Sequence, residues 1–164
     1  MNVEKILVPL DGSALAEAAL STAIELLADR PTATLLVLRA AEAPKMPGSD
    51  PIAAQVRVVR EAENYLSSVA SRLTDSGIKG VKTSVWYGPA APAIVEAARV
   101  GKVDMIVMST HGRTGLGRLV LGSVAESVLR GTRTPILLVR DGAAPIDKPG
   151  PAAVPATAKG AGRV

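Results

Sequence analysis

Apolar residues are arranged in two ways that alternate along the first 140 or so positions of this chain. Short continuous runs occur within Lys5 to Leu10, within Thr34 to Ala41 as Leu-Leu-Val-Leu, and at Met105 to Met108. Between them lie longer segments in which apolar residues return every third or fourth position. Continuous Val/Leu/Ile runs suit strands covered on both faces, as in a parallel sheet, because a strand with one wet face would alternate.

The longer segments predict helices. Leu15, Ala18, Ala19, Thr22, Ala23 and Leu26 recur at helical spacing from Ser13 to about Asp29. The segment opens at the turn group Asp11-Gly12-Ser13, which favours an N-cap, and stops at Arg30-Pro31. Its mostly small stripe permits close packing on a sheet. Glu42 to Pro51 reads as a loop, and a long helix follows on Val58, Ala62, Leu66, Val69 and Leu73 to a glycine stop at Gly77. Val81 to Tyr87 has a strand-like mixture ended by Gly88-Pro89. Ala90 to Val100 gives a short helix on Ile94, Ala97 and Ala98, closed by Gly101. The last elements are a helix from about Gly122 to Arg130 and a strand from Pro135 to Arg140.

This alternation implies right-handed crossovers and an α/β fold: a three-layer, Rossmann-like, open five-stranded parallel sheet with helices on both faces. Such sheets bind ligands outside the carboxyl ends of their strands, near a topological switch point. Asp11 and the segment after Met108 both fall at such ends. The last strand, Thr134 to Arg140, is expected at a sheet edge with Pro135 near its start. There its exposed ladder can pair with a second copy to give a homodimer.

Composition narrows the picture. The 164 residues suffice for one domain over residues 1–141. The tail from 142 to 164 is Pro/Ala/Gly-rich and is expected to be disordered, because it has little apolar surface to offset its ordering entropy. Cysteine is absent and histidine occurs once, which disfavours a disulfide framework, a thiolate zinc site or an imidazole-rich metal centre. With no Phe, one Trp and two Tyr, the chain lacks the aromatic platforms of single-strand nucleic-acid binders. The net charge of +4 is modest, so nucleic acid is not expected as a partner. No run approaches about 18 uninterrupted apolar residues, and no leader-like segment opens the chain, so a cytoplasmic protein without membrane association is expected.

The candidate chemistry lies in Ser109-Thr-His-Gly-Arg-Thr-Gly-Leu-Gly-Arg-Leu-Val-Leu-Gly-Ser123. A glycine-rich loop between a buried strand and a helix start lets backbone N–H groups converge on an anion such as phosphate. Two better-known loops do not fit. Gly112 and Gly117 have Walker A spacing, but Arg118-Leu119 follow in place of Lys and Ser/Thr. Gly115-x-Gly117 begins a dinucleotide fingerprint, but Val120 stands at the third glycine.

Gly112, nine residues, then Gly122-Ser123 does match a pattern. With Ile6-Leu-Val-Pro-Leu-Asp-Gly-Ser13 and Thr134-Pro-Ile-Leu-Leu-Val-Arg140, it closely resembles the universal stress protein family over about residues 3 to 140. The resemblance implies a five-stranded parallel sheet of the adenine nucleotide alpha hydrolase-like type, usually a homodimer. It also implies bound ATP in one branch, alone or with Mg2+ or Mn2+, and no nucleotide in another. In the ATP-binding branch, Pro9, Leu10 and Asp11 would lie beside ribose or adenine, Ala40 would offer main-chain groups to the base, and Met108 would line its pocket. Thr110 to Gly115, including His111, Gly112, Arg113 and Gly115, would wrap the phosphates, and Gly122, Ser123 and Val124 would supply a helix N-terminus. Ser109 stands where that branch has glycine.

Several of these residues also have a plain structural reading. Ser123-Val-Ala-Glu126 is a capping-box pattern, and Asp11 can serve simply to start a helix. Gly115 and Gly117 can serve flexibility alone, and Arg118 reads as a surface charge. His111 has no identifiable orienting carboxylate, so no catalytic residue is assigned and at most slow ATP hydrolysis is expected.

Overall fold

The computed structural model describes residues 3–44, 47–48, 50–109 and 122–140. Its elements are β1 (Lys5–Pro9), α1 (Ala14–Leu27), β2 (Thr34–Ala41), α2 (Pro51–Asp75), β3 (Val81–Tyr87), α3 (Ala90–Gly101), β4 (Met105–Ser109), α4 (Ser123–Gly131) and β5 (Ile136–Val139). The strands form one all-parallel sheet in the order β3-β2-β1-β4-β5.

The three most apolar runs became the three inner strands. Ile6, Leu7 and Val8 of β1, Val37 and Leu38 of β2, and Ile106 and Val107 of β4 have no solvent exposure. Full burial of such a side chain is worth about 1.5–3 kcal/mol. Alternate strand positions feed two separate cores. On one face Ile6, Val8, Leu35 and Val37 meet Ala19, Leu20 and Ala23 of α1 and Leu66 and Val69 of α2. On the other, Leu7, Leu38, Ile106 and Met108 meet Ile94, Ala97 and Ala98 of α3 and Ala125 and Val128 of α4.

The chain builds outward from β1 to β2 to β3, then returns across the sheet to place β4 against the other side of β1. Ile6 pairs with Met105 and Leu7 with Ile106. The switch point therefore lies between β1 and β4. The strand Ile136–Val139 occupies the edge expected for it, and the main-chain carbonyl of Pro135 accepts from Ile106 N at 2.9 Å.

Three local expectations are corrected. The buried positions of α1 are Ala16, Ala19, Leu20 and Ala23, while Leu26 is exposed. The stripe is rotated from the predicted one because small residues at 16, 19 and 23 allow the closest approach to the sheet. The helix α3 does not close on Gly101: Gly101 is its last helical residue, and Lys102 takes the left-handed position at φ 48°. The capping box at Ser123 does not form. Gly122, extended at φ −60° and ψ 147°, is the N-cap, and Ser123 is already helical. That shift moves Glu126 one position too far along to reach back, and its carboxylate instead accepts from Arg130 Nη2 at 2.6 Å.

Candidate functional site

The connection after β1 is built by short-range polar contacts. Leu10 N donates to Leu38 O at 2.7 Å, carrying the β1–β2 ladder one residue beyond the strand. The Asp11 carboxylate accepts from Ser13 N at 2.9 Å, and the Ser13 hydroxyl accepts from Ala16 N at 3.1 Å. Gly12 between them has φ +88°, a conformation that suits glycine. Asp11 and Ser13 thus share the work of starting α1, and the Asp11 side chain stays exposed at the mouth of the switch-point cleft.

Within that cleft lies a cavity of about 110 Å³. Its walls come from the carboxyl ends of all three inner strands: Pro9 at the end of β1 with Leu10 and Asp11 after it, Leu38 and Ala40 from β2, and Met108 and Ser109 from β4. The remaining walls come from three helix starts. Ala16 lies in the first turn of α1, Ala90 is the first residue of α3, and Val124 and Ala125 follow directly on the first residue of α4; Ile94 completes the lining. Helix N-termini carry unpaired amides and a partial positive charge, so three of them at one cavity favour an anionic group. Leu10, Leu38, Ile94 and Met108 are each at most 5% exposed and give the interior an apolar surface suited to a flat base.

Of the residues singled out from sequence, Pro9, Leu10, Asp11, Ala40, Met108, Ser109 and Val124 line this one cavity. Gly122 and Ser123 stand at the head of α4, next to the lining residues Val124 and Ala125 but outside the wall. His111, Gly112, Arg113 and Gly115 lie outside the described residues. Ala16, Leu38, Ala90, Ile94 and Ala125 were not identified as site residues from sequence. For Ala16, Ala90 and Ala125 the signal was positional: small residues in the first turns of three helices leave the space that larger ones would fill. Among the described residues, no group of three or more His, Cys, Asp or Glu side chains could hold a metal ion. No helix among them is long and apolar enough to cross a membrane.

An open, all-parallel α/β sheet with a cleft at its switch point and helices starting around it defines a Rossmann-like domain. Within that class, the model of the universal stress protein family matches residues 2–140, and the chain belongs to that family. Universal stress protein MJ0531 of Methanocaldococcus jannaschii is 41% identical over 80 residues, covering 49% of this chain and 46% of that one. The chain thus aligns with about half the length of the curated relatives it matches in this way. The solved structure of protein MJ0577 is 28% identical, with a TM-score of 0.74 over 87% of this chain and 99% of that one. A universal stress protein in complex with cAMP is 25% identical, with a TM-score of 0.65 over 85% of this chain and 98% of that one.

Proposed function

We propose that the cleft between the ends of β1 and β4 binds an adenine nucleotide, ATP by preference, and that the protein is a regulatory or stress-response protein whose state depends on nucleotide occupancy. The observation that carries this reading is the convergence of three helix starts, with alanines in their first turns, on a cavity whose strand walls are apolar. The apolar part suits the base and the helix amides suit phosphate. The relative solved with cAMP supports the same ligand class. Leu10, Leu38, Ile94 and Met108 would enclose the base, Asp11 would face the ribose, and Gly122, Ser123 and Val124 would present the start of α4 to the phosphates. A Mg2+ or Mn2+ ion would arrive with the phosphates, and hydrolysis is at most slow.

The exposed edge of β5 is proposed to pair with its copy in a cytoplasmic homodimer, since an unpaired strand ladder is a ready template for a second one. Native mass spectrometry of the protein purified without added nucleotide reads subunit number and retained nucleotide together. A dimer carrying adenine nucleotide, with micromolar ATP binding by calorimetry, is the expected result. No binding at saturating Mg-ATP removes the nucleotide reading, and a monomer at micromolar concentration removes the dimer.

A second reading, a nucleotide-free interaction module, is favoured by Ser109, a residue of the cavity wall at the position where the ATP-binding pattern has glycine. Ser109→Gly separates the two. ATP binding gained only in the variant supports the module, whereas tight binding already present and unchanged counts against it.

A further inference from the structure

Leu38 and Ala40 of β2 line the cavity, and strand alternation sends Arg39 between them to the opposite face of the sheet, where α1 and α2 pack. The Arg39 guanidinium does two things there. It lies 4.8 Å from the ring centroid of Tyr65 on α2. It also faces Gly12: a Cβ added to Gly12 would stand 3.5 Å from Nη1, 3.6 Å from Nη2 and 3.7 Å from Cζ. Arg39 is half-buried and has no carboxylate partner among the described residues.

Tyr65 extends the connection. Its hydroxyl donates to Glu17 Oε1 at 2.8 Å, and Arg72, two turns further along α2, donates from Nη2 to Glu17 Oε2 at 3.0 Å. Glu17 is in the first turn of α1, directly after the cavity residue Ala16, and its amide donates to Ser13 O at 3.1 Å. The segment from Gly12 to Glu17 is thus faced at one end by Arg39 of β2 and held at the other by Tyr65 and Arg72 of α2, none of which lines the cavity. This segment holds Ala16 and follows Asp11, which makes up the mouth.

We propose that Arg39, Tyr65 and Glu17 form a clamp of positioning residues, steadied by Arg72, that sets the Asp11–Ser13 turn and the N-terminus of α1 for the anionic ligand of the cleft. The proposal rests on the nucleotide reading for the identity of that ligand. A cation over an aromatic face is attracted by the ring and held in one orientation. That orientation places a positive charge beside Gly12 without offering it directly to the ligand, so it acts through the turn. Ordering the turn in advance spares the ligand that ordering cost on binding.

The test uses the full chain and three variants: Arg39→Met, which keeps the stem and removes the charge; Tyr65→Phe, which keeps the ring and removes the bond to Glu17; and Arg39→Lys. Amide exchange is measured without ligand at Ala16 and Glu17, with α3 amides as the internal control. Mg-ATP affinity is measured by calorimetry. In Arg39→Met and Tyr65→Phe, exchange at Ala16 and Glu17 is expected to accelerate selectively, and affinity to fall roughly two- to five-fold for each, with part of the loss restored in Arg39→Lys. Unchanged exchange at both amides overturns the clamp whatever ATP does. Faster exchange with unchanged affinity overturns its coupling to the ligand, and faster exchange shared equally by α3 reduces it to global stability. Failure of the wild-type chain to bind Mg-ATP overturns the nucleotide reading instead, and the exchange result then decides the clamp alone.

Discussion

Gly80 lies directly against the main-chain carbonyl oxygen of Ala33, with no room for a side chain between them. The Gly80 carbonyl in turn accepts from Leu35 N at 3.1 Å, and Val81 pairs with Leu35 in the sheet. The residue also has φ +72°, so an added methyl would meet backbone in front and a strained conformation of its own. Gly80→Ala is expected to destabilise the protein by about 2–4 kcal/mol, because neither backbone segment can withdraw without breaking the β2–β3 register. A lowered urea midpoint with unchanged slope would report this, and a midpoint equal to that of the wild type would contradict it.

Lys102 presents the opposite case. It holds the left-handed position that ends α3, and its N–H is bonded to Arg99 O at 3.2 Å. A residue with a Cβ is disfavoured there by about 1–2 kcal/mol, part of which glycine gives back through the freedom it has when unfolded. Lys102→Gly is therefore expected to stabilise the chain by about 0.5–1 kcal/mol, readable as a thermal midpoint raised by a few degrees. A lower midpoint would show that the lysine side chain contributes something the backbone does not reveal.

Ala90 is the most direct handle on the cleft, since it opens α3 and faces the cavity while remaining only half-buried. Ala90→Leu is expected to fill the space meant for ligand and weaken ATP binding about tenfold or more, a loss of about 1.4 kcal/mol. Stability should stay within about 1 kcal/mol of the wild type, because the site is not part of a closed core. Undiminished ATP binding in this variant would place the nucleotide elsewhere.

Tyr65 gives the fold a sensitivity to alkali. Burial, followed by the hydrogen bond to Glu17 and its negative charge, holds the phenol above its ordinary range, while Arg39 and Arg72 oppose the shift. In the unfolded chain a tyrosine loses its proton near pH 10. Above that pH the native state holds a proton that the unfolded state has released, so stability falls as pH rises. Urea midpoints measured from pH 8 to 11 should converge for the wild type and Tyr65→Phe; parallel curves would contradict the shift.

The inner strands were the most legible part of the chain, because burial on both faces leaves room for little besides Val, Leu and Ile at positions such as 6–8, 35, 37 and 38. Their order in space was less so: nothing local distinguishes β1, which both halves of the sheet pair with, from β2. The cavity was half legible. Pro9, Leu10, Asp11, Met108 and Ser109 follow from strand ends and from the family resemblance, while Ala16, Ala90 and Ala125 look like ordinary helix formers, and the space beside them is a property of the assembly. Ser123 was misread because a serine before an apolar helix satisfies the same pattern at the N-cap and one step inside it. The backbone of Gly122 decides between the two.

The pairing of Ile6 with Met105 brings together residues almost a hundred positions apart. As the chain emerges during synthesis, β1, β2 and β3 can assemble with α1 and α2 on one face while the second edge of β1 has no partner. Closing so long a loop is slow, and an open apolar edge invites the wrong neighbour in the meantime. Because the cleft lies across that junction, a ligand bound there can recognise only a chain whose two halves have joined. Nucleotide retention, on the proposed reading, would therefore report that β4 has docked on β1, and it is expected to be absent from any fragment that stops short of β4.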